Sequence, residues 1–167
     1  MLLSSNDILQ KYDELSAADF IRFVTDCYLD TLGGGLTPDN MGMLTTQQHT
    51  LLCYRYLLDE VMEGGFIQLI HNGYAGYVLM GPFPYILKKE WGMKELSQLI
   101  YNVKSEYQRH REQLECAMTD EEFMALYEQL ETLNELGDDF LDDHQEEATP
   151  RVASYVAEHA DTFQITE

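Results

Sequence analysis

The chain has 167 residues, 45% hydrophobic and 11% aromatic, with thirty acids against ten bases for a formal charge of −20. That length and apolar content suit one globular domain burying about two-thirds of its unfolded surface, and they exclude a disordered chain. So negative a chain is expected not to bind nucleic acid directly.

No charged-then-apolar leader opens the chain, and the uncharged stretch 74–87 contains Pro82 and Pro84 and is too short to span a bilayer. The expectation is a soluble, cytoplasmic protein with no membrane role. Cys27, Cys53 and Cys116 are odd in number and far apart, which predicts reduced core residues rather than a disulfide framework.

Helical signals then follow one another. Ser16 with Asp19 caps a segment whose Phe20, Phe23, Val24, Cys27 and Tyr28 recur at helical spacing, and Gly33, Gly34 and Gly35 stop it. Residues 36–44, with Pro38 and Gly42, read as a loop. Thr45 with Gln48 forms a capping box for a helix through Leu51, Leu52, Tyr54, Leu58 and Val61 to Gly64 and Gly65. Residues 66–70 and 74–80 are the candidates for short strands. A helix is predicted over 94–114, with Leu96, Leu99, Ile100, Val103 and Tyr107 inward. Thr119 with Glu122 starts the next, and Thr149-Pro150 the last. The predicted architecture is all-α: a single-domain irregular helical bundle over residues 1–167.

The charge is uneven. Residues 1–111 carry a net −4, whereas residues 112–167 hold seventeen acids against Arg151 alone. Periodicity predicts that this acidic helical end, 112–167, is folded: Phe123, Leu126, Leu130 and Leu133 recur on one helical face. On one continuous helix, Glu121, Glu128, Glu131 and Glu135 cluster within about 80° on roughly the opposite face, at 100° per residue. A break at Gly137 then folds the stripe back, with Asp138, Asp139, Asp142 and Asp143 beyond it. These eight acids are the candidate partner-binding face. Fourteen acids over the 36 residues 112–147 place one charge per roughly 3.9 Å of helix, against a phosphate about every 3.4 Å along one DNA strand.

Reaction chemistry is not written in the chain. His49, His71, His110, His144 and His159 form no H-E-x-x-H or Glu-x-x-His pattern, and the Asp138-Asp139 and Asp142-Asp143 pairs lack the ladder of an EF-hand loop. There is no nucleophile elbow, phosphate loop or dinucleotide fingerprint. Hence no catalytic residue, metal site or cofactor is predicted, and the protein is expected not to be an enzyme.

The most distinctive segment runs from Glu60 to Gly73. Gly64 and Gly65 interrupt a strong helix, and a second amphipathic turn begins at Phe66. Gly64 is expected to take a positive φ and Gly65 to permit close backbone approach. Phe66 and Ile70 would anchor the second helix, while Gln68 and Asn72 would bond to backbone exposed at the corner. The pattern E-V-x-x-G-G-F-x-Q-x-x-x-N formed by Glu60, Val61, Gly64, Gly65, Phe66, Gln68 and Asn72, with the closing run from Leu133 to Phe140 and a helix through Tyr155, resembles the bacterial DNA-mimic protein family over about residues 30–160. It departs from that family's pattern at Met62-Glu63 before the glycines and across 74–92. The resemblance implies an all-helical, acidic homodimer, and a member of that family occupies the DNA-binding surface of a transcription regulator. The expected partner is accordingly a basic, DNA-binding protein. The alternatives are an interaction module using the central aromatics Tyr74, Tyr77, Phe83, Tyr85 and Trp91, or an acidic domain whose charge serves only solubility.

Overall fold

Ser4 opens the first helix in the computed structural model, which describes residues 2–167. Its side chain accepts the Asp7 N–H while the Asp7 carboxylate accepts the Ser4 N–H, a reciprocal capping box that starts α1, Ser5–Glu14. Ser16 caps α2, Ala17–Thr31, by accepting the Asp19 N–H, and Gly33 (φ 81°) and Gly34 (φ 111°) end it. Thr45 and Gln48 cap α3, Thr46–His71, in both directions. The architecture is all-α. Among the described residues the only extended pairing is an isolated antiparallel bridge between Leu3 and Ile165.

The chain divides into two compact units. The first comprises residues up to Arg55 together with Glu147–Glu167. There α1 packs against α2 and against α11, Ala160–Phe163. Phe20, Ile21, Val24 and Tyr28 from α2, and Leu51, Leu52 and Tyr54 from α3, are fully buried. Each of three buried polar side chains there finds a partner: Tyr28 Oη donates to the Phe163 carbonyl at 2.7 Å, Tyr54 Oη lies 2.7 Å from Thr149 Oγ1, and Gln48 Nε2 donates to the Gln164 carbonyl at 2.9 Å. Burial pushes both phenols above their usual pKa.

The second unit, Tyr56–Glu146, holds the glycine corner and the acidic helices. After the corner come α4, Ala75–Val78, and α5, Phe83–Lys89; residues 66–70 lie in α3 and 74–80 contain α4, so neither candidate segment is a strand. The α6 helix, Lys94–Arg109, buries Leu96, Leu99, Ile100, Val103 and Tyr107, and Ser97 Oγ ties it to α5 by donating to the Pro84 carbonyl at 2.6 Å. It ends earlier than the periodicity suggested. His110 (φ −117°, ψ 18°) interrupts it before a short α7, Arg111–Glu115, because Tyr107 turns its hydroxyl onto Glu115 and Arg111 bonds the same carboxylate. Cys27 and Cys53 are buried, whereas Cys116 is exposed.

The acidic end is helical but divided differently from the expectation. Thr119 caps α8, Asp120–Gln129, as its spacing to Glu122 predicted. The break falls at Leu130 (φ −109°, ψ 60°), and α9, Glu131–Asp139, follows at once. Gly137 is no break: it is buried inside α9, which runs through a π-helical turn, Phe140–His144, into α10, Gln145–Glu158. Pro150 therefore lies within a helix rather than at its start. The carbonyl its missing N–H would have served belongs to Glu146, an exposed residue.

Gly137 offers a direct check. A Cβ there would lie 3.7 Å from Gly65 Cα and 3.8 Å from the Phe66 nitrogen, ordinary contact distances. Gly137→Ala is expected to raise stability by up to about 1 kcal/mol through helix propensity, read as a higher midpoint in chemical denaturation. A lower midpoint would mean that the corner needs bare backbone opposite it.

Candidate protein-binding site

All eight predicted acids are exposed, and none takes part in an ion pair or side-chain hydrogen bond among the described residues. The nearest bases on the N-terminal side are already committed: Arg109 Nη1 lies 2.8 Å from Glu106, and Arg111 Nε donates to Glu115 at 2.9 Å. Glu115 is held below the usual carboxylate range, first by the Tyr107 hydroxyl and then by Arg111. No such partner reaches the eight acids between 121 and 143.

The break at Leu130 corrects the single stripe. Glu121 and Glu128 belong to α8, Glu131, Glu135, Asp138 and Asp139 to α9, and Asp142 and Asp143 to the π turn. Glu121 and Glu131 sit in first turns, where the helix dipole favours an acid. Glu128 stands near the end of α8, where the dipole disfavours one and no base is present. At 100° per residue, Glu131, Glu135 and Asp138 fall within about 60° of one another. The buried Leu133, Leu136, Gly137 and Phe140 lie on the opposite side of the same helix. Asp142 and Asp143, within the π turn, are exposed as well.

Residues 112–147 are not one continuous helix, so the charge density over the whole stretch is not that of a single axis. The phosphate-like spacing holds locally. Residues 131–143 carry six acids and no base, in about 20 Å of helix, or one charge per roughly 3.3 Å, close to the phosphate spacing of one DNA strand.

What positions these helices is the glycine corner. Gly64 (φ −149°, ψ 17°) and Gly65 (φ 73°, ψ −172°) both leave helical geometry inside α3. The expected roles of the two are exchanged: Gly65 takes the positive φ, while a Cβ on Gly64 would meet Gln68 Cδ at 2.7 Å and Cβ at 2.8 Å. Gln68 and Asn72 do not bond to backbone through their side chains. Both donate to Glu60 Oε2, each at 2.9 Å, so the Glu60 carboxylate spans the corner from one limb of α3 to the other. Phe66 is buried as expected, its ring 6.5 Å from that of Phe140.

Three residues outside the candidate face complete the mounting. Tyr127 Oη donates to the Gly64 carbonyl at 2.7 Å, which fastens α8 to the corner. The Asn134 amide donates to the Tyr127 carbonyl, serving a group left without a helical partner by the Leu130 break. Gly137 brings α9 against Gly65 and Phe66. Of the three, Asn134 and Gly137 lie in the closing run from Leu133 to Phe140, whereas nothing in the sequence analysis singled out Tyr127. By contrast, the central aromatics disperse. Phe83 and Trp91 are core residues, Tyr74 and Tyr77 pack around Tyr56, and Tyr85 is exposed.

The profile of the DMP19-like protein family matches residues 42–159, a stretch that takes in the glycine corner and all eight candidate acids. The DNA mimic protein DMP19 of Neisseria meningitidis serogroup B is 34% identical over 77 residues, and that match spans 46% of each protein. Among the described residues, no helix is long and apolar enough to cross a membrane. Nor, among them, do three or more His, Cys, Asp or Glu side chains converge to hold a metal ion. With the family's motif folded as the mounting of two acidic helices, and its profile covering most of the chain, the chain belongs to the DMP19-like protein family.

Proposed function

We propose that the protein is a non-enzymatic, cytoplasmic DNA mimic whose exposed acids on α8, α9 and the π turn occupy the basic DNA-binding surface of a transcription regulator or another nucleic-acid-binding protein. The observation that carries this reading is the face of residues 131–143: six acids at phosphate-like spacing, exposed and without a basic partner among the described residues, on helices whose opposite sides are buried. Family membership supports it, since the relative matched over part of its length carries the name of a DNA mimic. An acidic face needed only for solubility has no reason to be concentrated on one pair of helices.

The test is capture from native lysate at low salt with elution along a salt gradient. A basic DNA-binding protein is expected to elute, and duplex DNA is expected to displace it, because both would contend for one surface. Its retention should fall steeply with ionic strength, as a multi-charge contact does. Retention that ignores both salt and DNA would overturn the reading.

The same reading includes a homodimer whose interface avoids the acids, because two such faces brought together repel. Exposed apolar side chains are present elsewhere: Leu9, Tyr12 and Leu15, on or just after α1, belong to the other unit. Sedimentation at micromolar concentration is expected to give twice the 19.3 kDa chain mass, nearly independent of salt. A monomer removes the dimer.

A further inference from the structure

The Tyr127 hydroxyl is spent on a backbone carbonyl that exists as a free acceptor only because Gly64 and Gly65 leave the helix. This bond joins the corner to α8, the helix that carries Glu121 and Glu128. The α9 helix has further contacts of its own: Gly137 rests against Gly65 and Phe66, Phe140 packs edge-on to Phe66, and α9 packs against α6. Between the two helices, Asn134 binds the carbonyl of Tyr127 itself. Tyr127 thus sits where the anchorage of α8, the break at Leu130 and the start of α9 meet. The phenol is pushed above its usual pKa by burial, so it remains a neutral donor at physiological pH.

We infer that Tyr127 is a positioning residue: its bond to the Gly64 carbonyl fixes the placement of the α8 acids relative to those of α9. Resting on the mimic reading, this makes the glycine corner the gauge of the charge pattern that a partner meets. Steering toward a basic surface depends on total charge, whereas a long-lived complex depends on the acids meeting their counterparts in register. Removing the hydroxyl leaves the charge untouched and loosens only the register.

Tyr127→Phe keeps the ring against Phe123, whose centroid lies 5.6 Å away. Spin labels are placed on exposed α8 and α6 positions, Met124→Cys with Gln108→Cys, in a Cys116→Ser background. A second pair, Thr132→Cys with Gln108→Cys, reports on α9. Pulsed dipolar distances are expected to broaden at least about twofold for the α8 pair in Tyr127→Phe and to stay unchanged for the α9 pair, with helicity retained. A purely structural hydroxyl would broaden both pairs or neither, and either result overturns the inference. A flexible deca-arginine peptide, which reads charge alone, should bind wild type and variant equally. The basic protein retained in the salt-gradient capture should dissociate about tenfold faster from the variant, and equal dissociation also overturns it. Should no basic protein be retained, the mimic reading fails while the two distances still decide whether Tyr127 fixes α8.

Discussion

Replacing Glu135 and Asp142 together with lysine is expected to raise the melting temperature while weakening the capture of a basic DNA-binding protein at least about 100-fold at low salt. The stability gain follows from helix geometry. Within α9, Glu135 faces Glu131 at i−4, Asp138 at i+3 and Asp139 at i+4, and no base lies nearby in sequence. Each like-charge neighbour at such spacing costs roughly 0.2–0.5 kcal/mol, and each opposite pair returns a similar amount. Reversing one charge turns three repulsions into three attractions, with Glu131 N-terminal to the new lysine in the better orientation. The net is about 1–3 kcal/mol, or roughly 2–12 °C for a chain of this size. Binding moves the other way: residues 131–143 go from six acids to four acids and two lysines. The control is Asp13→Lys with Asp39→Lys, two exposed acids outside the face that change total charge by the same amount. It should weaken capture less than about threefold. Should both double variants lose capture alike, or neither lose it, the face is only hydrated surface and the mimic reading falls. A protein that becomes more stable when its candidate site is destroyed is one whose site was not shaped by the needs of folding.

The features legible in the sequence were those whose physics is local. Ser16 with Asp19, Thr45 with Gln48 and Thr119 with Glu122 each start the helix their spacing predicts, because a cap needs only its own first turn. Exposure of the acids was legible too, since it follows from the burial of Leu126, Leu133 and Phe140 at helical spacing. The divisions of the acidic end were not. Leu130 is neither glycine nor proline, and the break there depends on Asn134 taking up the Tyr127 carbonyl after the chain has turned. Gly137 and Pro150 look like stops, yet one lies close against Gly65 inside a helix and the other loses only a bond to the carbonyl of Glu146, an exposed residue. At Gly64-Gly65, Gly65 takes the positive φ, and the bar to a side chain on Gly64 comes from Gln68. Its side chain turns back to Glu60 and fills the space where a Cβ on Gly64 would stand. At Leu130 and at the glycine corner a side chain several residues away shapes the outcome, and no window of local propensity contains that information.

Gly65 is where these dependencies converge, and Gly65→Ala is expected to cost about 1–3 kcal/mol. Its φ of 73° with ψ of −172° lies in a region that essentially only glycine enters. The neighbours leave little room to relax. Gln68 crowds Gly64 on one side, and Phe66 on the other is fully buried. Rotating the peptide between the two glycines would carry the Gly64 carbonyl away from Tyr127, so the strain is expected to spread to α8 rather than remain at the corner. The value of ψ makes a sharper claim than the value of φ alone. Asparagine commonly replaces glycine in the left-handed helical region, where ψ is near +47°, but it has no such advantage near ±180°. Gly65→Asn is therefore expected to lose as much stability as Gly65→Ala in chemical denaturation, with the α8 label pair broadened in both. An asparagine variant that keeps wild-type stability would show that the corner tolerates the ordinary left-handed conformation. The geometry that holds the two acidic helices would then not depend on glycine in the way described.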